Sequence, residues 1–113
     1  MKWGFLVDPV NGHAIVELPE NLDGYYKMLD CRLIDVVSRK IGGKYYDIVC
    51  DDEGLFADNA LVSAVDGSGQ PMLVGKLLIC NHDGKGNEAG LTQDDILNIE
   101  ANTMQRFYIR GDY

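Results

Sequence analysis

The densest set of potential metal ligands in the chain is Asp51-Asp52-Glu53, which Asp58 follows after a short interval. A calcium loop places oxygen ligands at alternating positions, with a glycine at its sharp turn and a bidentate glutamate at its end. This segment lacks that alternation, so it is more typical of a solvated turn after a strand, with a weak cation site as the alternative. We therefore predict that the protein has no metal centre and no cofactor.

The thiol and imidazole side chains are few and far apart. The chain has three cysteines, Cys31, Cys50 and Cys80, and two histidines, His13 and His82. A zinc site requires four ligands, which usually come in closely spaced pairs, and the cysteines form no such pair. We predict ordinary buried thiols; the alternative, a reactive thiolate, would require a nearby cation and partial exposure.

A polar, glycine-rich connection at 81–90 contains the remaining catalytic candidates. A phosphate-binding P-loop continues from Gly-Lys into Ser or Thr and then a helix, whereas Lys85 is followed by Gly86. His82 and Asp83 are neighbours, yet a general base requires a nucleophile or a water site within hydrogen-bond reach. We predict that the protein is not an enzyme; a pocket joining these two residues and a cysteine would indicate the opposite.

The formal net charge of the chain is −8 at pH 7. Direct binding to nucleic acid or to an anionic membrane requires a basic face, so neither is expected. A charge of this size is usual for a domain that is simply soluble, and it leaves open a basic protein partner, including one that itself binds nucleic acid. The predicted acidic interaction surface consists of Asp51, Asp52, Glu53, Asp58, Asp94 and Asp95.

With 113 residues, of which 46% are hydrophobic, the chain has the size and the apolar content of one domain with a single core. No apolar run approaches the ~18 residues needed to cross a bilayer, and the first residues are more typical of a strand than of a signal peptide. We expect a cytoplasmic, single-domain protein over residues 1–113, with a flexible tail at about 108–113.

The first third of the chain predicts two strands and a short helix. Residues 2–7 and 13–18 flank a turn at 8–12, whose proline and Asn-Gly pair are strong turn formers. Asn21 is a suitable N-cap for the helix that follows, in which apolar residues recur at helical spacing.

The segment from Cys31 to Asp51 predicts a hairpin, because Gly42-Gly43 separates two arms rich in Val, Ile and Tyr. With those glycines as the turn, the facing pairs are Ile41 and Lys44, Val37 and Ile48, and Asp35 and Cys50, and one apolar face carries Leu33, Val37, Ile41, Tyr46, Ile48 and Cys50. Asp35 then lies on that face, where Arg39 can pair with it. Alternatively, a bulge or a wider turn shifts the register and directs Asp35 outward.

The second half of the chain predicts strands and a terminal helix. Residues 60–65 form a short strand or a helical turn, and the apolar run 72–80 forms one strand buried on both faces. Thr92 followed by Asp95 predicts a capping box, and an apolar stripe extends the helix to about Phe107. The resulting fold class is α+β: a small, mostly antiparallel sheet with a short helix after the second strand and a C-terminal helix packed on it.

Two pairs of adjacent tyrosines, Tyr25-Tyr26 and Tyr45-Tyr46, occur within these elements. Neighbouring residues point in different directions, so we expect one member of each pair to pack in the core and the other to face water. Because tyrosine is enriched at protein interfaces, an exposed tyrosine beside carboxylates is a candidate contact residue.

Taken together, these features resemble a family of small proteins catalogued as domain of unknown function 3846. The resemblance runs from about Phe5 to Ile99 and depends on the order of strands, hairpin and helix and on short phrases such as CDDEGL (50–55) and GLTQDDI (90–96). It implies an origin in phages, plasmids or conjugative elements, or in bacteria that carry them, and hence an accessory role such as countering a host defence. It implies no activity, cofactor or functional residue.

These observations favour a non-enzymatic, acidic accessory protein that acts by binding another protein. In its sharpest form it would mimic DNA phosphates, but ten Lys and Arg residues are interspersed among the acids and oppose a continuous negative stripe. The alternative is a homo-oligomeric structural or regulatory module whose strand edge or terminal helix pairs with another copy. A small enzyme is the third hypothesis.

Overall fold

The computed structural model of the chain describes residues 2–9, 11–52, 62–65, 71–82, 88–104 and 108–110. The strands in those ranges are β1 (Trp3–Asp8), β2 (Gly12–Glu17), β3 (Ile34–Ile41), β4 (Lys44–Asp51), β5 (Val62–Val65), β6 (Pro71–Val74), β7 (Leu77–His82), β8 (Glu88–Ala89), β9 (Thr103–Met104) and β10 (Tyr108–Arg110). The helices are α1 (Leu22–Leu29) and α2 (Gln93–Ala101). This order of elements confirms the predicted α+β class.

A five-stranded antiparallel sheet with the order β2-β1-β7-β4-β3 forms the centre of the fold. The short strand β8 pairs with the end of β7. A smaller sheet has the order β6-β5-β10-β9, in which β10 runs parallel to β5. Because β7 has a strand on each side in the central sheet, its residues Leu77 to Cys80 are completely buried.

The two helices cover opposite faces of the central sheet. Side chains alternate between the faces along a strand, so each inner strand contributes to two separate cores. The core on the α2 side comprises Phe5, Val7, Ile41, Tyr46, Ile48, Cys50, Leu77, Ile79, Leu91 and Ile99. The core on the α1 side comprises Leu18, Leu29, Val49, Leu78 and Cys80. Burial of both apolar sets fixes the order of layers as helix, sheet, helix.

Local side-chain hydrogen bonds fix the connections that precede β3. The carboxylate of Asp8 accepts hydrogen bonds from the backbone N–H and the side-chain amide of Asn11 (3.2 and 3.0 Å), which closes the turn between β1 and β2. The side chain of Asn21 accepts a hydrogen bond from the backbone N–H of Gly24 (2.9 Å), which confirms Asn21 as the N-cap of α1.

The β3–β4 hairpin has the register that a Gly42-Gly43 turn dictates, with Asp35 opposite Cys50 and no bulge. Asp35 is nevertheless exposed, and its carboxylate accepts a hydrogen bond from the N–H of Val36 (2.9 Å). The guanidinium of Arg39 donates to the carbonyl of Ser38 (2.9 Å). Asp35 is therefore solvated at the outer edge of the sheet without a shift of register.

The apolar run 72–80 is not the single strand that its composition predicts. Gly75 has a φ of +75°, a conformation that residues with a side chain rarely adopt, and the extended chain breaks there. Pro71–Val74 joins the small sheet as β6, whereas Leu77–His82 joins the central sheet as β7. Val62–Val65 is a strand, which decides between the strand and the helical turn predicted for 60–65.

The C-terminal part of the chain also differs from the prediction. Helix α2 ends at Ala101 rather than near Phe107, which lies outside the described residues. The hydroxyl of Thr103 donates to the carbonyl of Ile99 (2.9 Å), so a side chain replaces the backbone donor at the helix end. Tyr108–Arg110, predicted as part of a flexible tail, is strand β10, because pairing with β5 and β9 satisfies its backbone groups.

Alanine substitutions at Gly42 and Gly43 test how closely α2 packs on the hairpin. Both glycines have positive φ (+56° and +86°), but a Cβ at Gly42 would collide with the side-chain amide of Asn98, whereas a Cβ at Gly43 would meet open space. We expect Gly43→Ala to lower the free energy of unfolding by about 1 kcal/mol through backbone strain. Gly42→Ala should lower it by about 2–4 kcal/mol because crowding is added. Urea denaturation measures both, and equal losses would contradict this packing.

Candidate functional site

The most highly organised polar cluster in the described part of the chain is centred on Asp95, in the first turn of α2. The hydroxyl of Thr92, the N-cap residue, accepts a hydrogen bond from the N–H of Asp95 (3.1 Å). In return, Oδ2 of Asp95 accepts from the N–H and the hydroxyl of Thr92, both at 2.9 Å. The predicted capping box is thereby confirmed, and it fixes the position of the carboxylate.

The central sheet supplies three further donors to the same carboxylate. Nζ of Lys44 and the hydroxyl of Tyr46, both on β4, donate to Oδ1 of Asp95 at 2.7 and 3.0 Å. The side-chain amide of Asn81, on β7, donates to Oδ2 at 2.8 Å. Asp95 thus joins the N-terminus of α2 to β4 and β7, which are adjacent strands of the central sheet.

The chemistry of Asp95 follows from its burial and its donors. Its side chain is almost fully buried, with only 4% of the residue exposed. Burial alone would raise the pKa of Asp95, but the hydrogen bonds from Lys44, Thr92 and Asn81 outweigh it and hold the pKa well below its usual range. The carboxylate is therefore ionised at neutral pH, and five donors occupy its acceptor positions.

Asn98, one helical turn further along α2, extends the network to the hairpin turn. Its side-chain amide donates to the hydroxyl of Tyr46 (3.0 Å) and to the carbonyl of Ile41 (2.9 Å). Because Tyr46 donates to the ionised Asp95, its hydroxyl accepts from Asn98, and both sides of this buried phenol are satisfied. Burial raises the pKa of Tyr46, with Asn98 opposing the shift and Asp95 adding to it, so the phenol stays neutral.

This arrangement makes Asp95 a structural anchor. A general base must have a lone pair available to accept a proton from a substrate, and the lone pairs of this carboxylate are already engaged with protein donors. The inclusion of Asp95 in an exposed acidic surface was wrong, because the residue is buried between helix and sheet. The Tyr45-Tyr46 prediction is confirmed: Tyr46 is buried and Tyr45 is 55% exposed.

Asp51 and Asp52, two described members of the predicted acidic surface, do not converge with Asp95. Asp51 is half-buried at the end of β4, Asp52 is exposed just beyond it, and Asp94 is exposed on α2. Asp95 contacts Tyr46, near the start of β4. Tyr46 and Asp52 are six residues apart, which corresponds to roughly 20 Å along an extended strand. The two acidic groups therefore lie at opposite ends of β4. The remaining members, Glu53 and Asp58, lie outside the described residues.

The cysteines have the character of core residues. Cys50 and Cys80 are buried, and their thiols lie 3.6 and 3.7 Å from the carbonyls of Asp35 and Asp47. Burial raises the pKa of Cys50 to about 11, and burial with nearby carboxylates also raises that of the half-buried Cys31. Across the described ranges, no three His, Cys, Asp or Glu side chains converge as a metal site.

A second candidate is an exposed surface that we call the hairpin face, formed on the α1 side of the sheet by Val36, Ser38, Lys40, Tyr45 and Asp47. The hairpin register places these residues on one face, with Lys40 opposite Tyr45 and Ser38 opposite Asp47. Helix α1 covers the sheet near Ile34 and Val49, whereas Val36, which lies opposite Val49 on the outer strand β3, is 41% exposed.

Sequence reasoning identified only part of these two clusters. It singled out Tyr45 but missed Val36, although the alternation of the predicted hairpin already places Val36 on the face opposite the core. It found the capping box but missed Lys44, Asn81 and Asn98 as donors. One available signal was the position of Tyr46 on the core face, because a buried tyrosine hydroxyl requires a hydrogen-bond partner.

Replacement of Asp95 tests its role as an anchor. Asp95→Asn preserves the shape but removes the charge and brings an amide donor against groups that are themselves donors. We expect a loss of about 2–4 kcal/mol in the free energy of unfolding. Asp94→Asn, at an exposed position in the same helical turn, is the matched control and should cost about 0.5 kcal/mol. Urea denaturation distinguishes the two, and similar losses would exclude the anchor role.

The lowered pKa of Asp95 also predicts a dependence of stability on pH. Because the pKa is lower in the folded state than the unfolded value of about 3.9, the unfolded state binds the proton first on acidification. The stabilisation by Asp95 is therefore complete at neutral pH and is lost as the pH falls below about 3.9 towards the folded pKa. In urea denaturation at a series of pH values, the difference between wild type and Asp95→Asn should shrink in this range. A constant difference would contradict the shift.

Comparison with known proteins places the chain in a family without an assigned function. The family model described as "Domain of unknown function (DUF3846)" matches residues 1–107. No match was found among curated proteins or among solved structures. Since the matched region covers nearly the whole chain, the protein belongs to the DUF3846 family.

Proposed function

We propose that this domain is a non-enzymatic accessory protein of a mobile genetic element or its bacterial host, and that it binds a protein partner with a basic surface. The observation that supports this most directly is the hairpin face, where Val36 and Tyr45 are exposed on the same side of a regular hairpin. Exposed apolar and aromatic side chains grouped on regular structure are typical of protein contact sites.

The geometry of the hairpin face suits a contact with another folded protein. Val36 and Tyr45 are separated by four residues along the strand direction, which corresponds to roughly 13 Å and leaves the facing pair Ser38 and Asp47 between them. Both side chains project from strands whose opposite face is packed against α2, so they are held in place before a partner binds. Tyrosine in particular buries a large area at a small cost in side-chain entropy.

On the side of the hairpin that carries the hairpin face, two carboxylates outnumber the one lysine, Lys40, and this excess favours a basic partner. Asp47 and Asp51 alternate with core residues on β4 and lie on the same side of the sheet as Tyr45. The whole chain carries a net charge of −8. A basic surface would be attracted to this side of the domain, with a rate of association that falls as salt is added.

Two features support binding over catalysis. The ionised carboxylate of Asp95 is fully engaged with protein donors, and the raised pKa of Cys50 keeps its thiol protonated at neutral pH. A cytoplasmic location is part of the same proposal; in the described part of the chain, neither helix has the length and apolar character to span a membrane.

Capture from a host lysate tests the proposal. Immobilised wild type should retain a basic protein, and the double variant Val36→Ser, Tyr45→Ser should retain roughly tenfold less of it. Leu97→Ser is the matched control, because Leu97 is also a large exposed apolar residue but lies on α2. The identified protein, once purified, should bind wild type more weakly as the salt concentration is raised.

Three results would overturn the proposal. The first is retention of the captured protein by the hairpin double variant at the wild-type level. The second is a captured protein whose binding is independent of salt. The third is turnover of a small molecule by the purified domain.

A further inference from the structure

The two outer strands of the central sheet, β2 and β3, differ in how their outer edges are protected. In an antiparallel sheet, successive residues direct their backbone N–H and C=O groups alternately to one neighbour and to the other. The N–H of Leu18 donates to the carbonyl of Lys2 (2.8 Å), so the even-numbered residues of β2 bond to β1. The odd-numbered residues, His13, Ile15 and Glu17, therefore direct their backbone groups outward.

On β3, two of the corresponding backbone groups are occupied by side chains of the same strand. A ladder bond at the carbonyl of Leu33 shows that odd-numbered residues face β4, so Val36 and Ser38 direct their backbone groups outward. The carboxylate of Asp35 accepts from the N–H of Val36, and the guanidinium of Arg39 donates to the carbonyl of Ser38, both at 2.9 Å. Charged residues that block an edge in this way oppose the addition of another strand.

On β2, the outward backbone groups lie beside exposed apolar side chains. Among the described residues, β1 is the only strand that pairs with β2. Ile15 is 47% exposed, and Trp3, which faces Glu17 across the β1–β2 pair, is 40% exposed. An accessible edge next to apolar surface is the combination that favours strand addition.

We infer that β2 pairs with β2 of a second copy of the chain, antiparallel and with Ile15 on the two-fold axis. The sequence of the strand is self-complementary in this register. His13 of each copy lies opposite Glu17 of the other, so an imidazole faces a carboxylate twice in the dimer. Ile15 lies opposite its own counterpart, which is a favourable aliphatic pair.

The two neighbouring registers, with the two-fold axis at Glu17 or at His13, give less favourable cross-strand pairs. An axis at Glu17 places two carboxylates opposite each other and sets Pro19, which has no N–H, against Ile15. An axis at His13 places two imidazoles opposite each other and leaves Glu17 without the imidazole partner. The pairing centred on Ile15 uses all five residues from 13 to 17. The His13 ring stacks on Phe5 of β1, with centroids 5.1 Å apart, so it turns outward from this position to reach Glu17 of the other copy.

This pairing produces a dimer and does not continue to larger assemblies. A two-fold axis perpendicular to the sheet joins the two five-stranded sheets into one of ten strands, with β3 at both outer ends. Because Asp35 and Arg39 block the edge of β3, further copies do not add there. Pairing over five residues makes a small interface, so the dimer is weak and its population depends on protein concentration.

Charge variants of β2 test the register directly, using purified protein and no partner. His13→Glu introduces a carboxylate opposite Glu17 of the other copy at both sites, and should weaken dimerisation roughly tenfold or more. Glu17→Lys removes the acceptor at both sites and should also weaken it. In an equimolar mixture, the introduced glutamate faces the introduced lysine, and His13 faces Glu17, so the dimer should return. Sedimentation equilibrium of each variant and of the mixture measures the three association constants.

Amide hydrogen exchange supplies a measurement without mutation. The N–H groups of His13, Ile15 and Glu17 should become more protected as protein concentration rises, whereas that of Ser38 should not. A wild type that stays monomeric at high concentration would overturn the inference, as would a dimer unaffected by His13→Glu or an equimolar mixture that does not dimerise. These outcomes concern β2 alone, so they do not affect the proposed partner at the hairpin face, which the capture experiment tests separately.

Discussion

The contact between the carboxylate of Asp95 and its five donors determines how the layers of this domain are joined. Helix α2 has nine residues, and an isolated helix of that length is marginal in water. Its position depends on tertiary contacts, and Asp95 provides the polar part of them by linking the capping box to Lys44 and Tyr46 of β4 and to Asn81 of β7. Apolar packing of Ile99 completes the attachment. With α2 fixed in this way, the α2 side of the sheet is closed around the hairpin turn.

The α1 side of the sheet is covered only in part. Helix α1 has eight residues and covers the sheet only around β1, β7 and the far end of the hairpin, where Leu29 packs with Val49 and Leu78. Two short helices on opposite faces cannot cover five strands completely. The hairpin face lies in the uncovered area on the α1 side, and α2 packs against the reverse side of the same strands. The proposed contact surface is thus a consequence of the same packing that anchors Asp95.

The parts of the fold that depend on local interactions could be predicted from the sequence. Asn21 and Thr92 bond to residues three positions away, and the hairpin register follows from two adjacent glycines. The role of Asp95 could not be predicted in full, because Lys44 lies 51 positions away and only the tertiary fold brings its ammonium to the carboxylate. The local sequence pattern predicted the capping box correctly, yet it gave no sign that Asp95 is buried.

The predictions that were wrong or missed also concern features that depend on distant parts of the chain. The apolar run 72–80 contains two strands of different sheets, and only the backbone conformation at Gly75 separates them. The residues of β10 carry no strong strand pattern of their own, and their partner in parallel pairing, β5, lies more than forty residues earlier. Val36 is exposed although Val49 opposite it is buried, because β3 is the outer strand, and no pattern in the hairpin itself specifies that strand order.

The two outer edges of the sheet connect the dimer to the hairpin face. In a ten-stranded sheet built through β2, the two copies of β3 are nine strand spacings apart, or roughly 43 Å. Each hairpin face then lies near one end of the particle, and a partner with repeated basic segments can engage both at once. Two weak contacts held by one scaffold bind far more tightly than either alone, provided that the partner spans the distance. Bivalent binding of this kind would raise the affinity of the proposed dimer, with a net charge of −8 per copy, for the proposed basic partner without enlarging either contact surface.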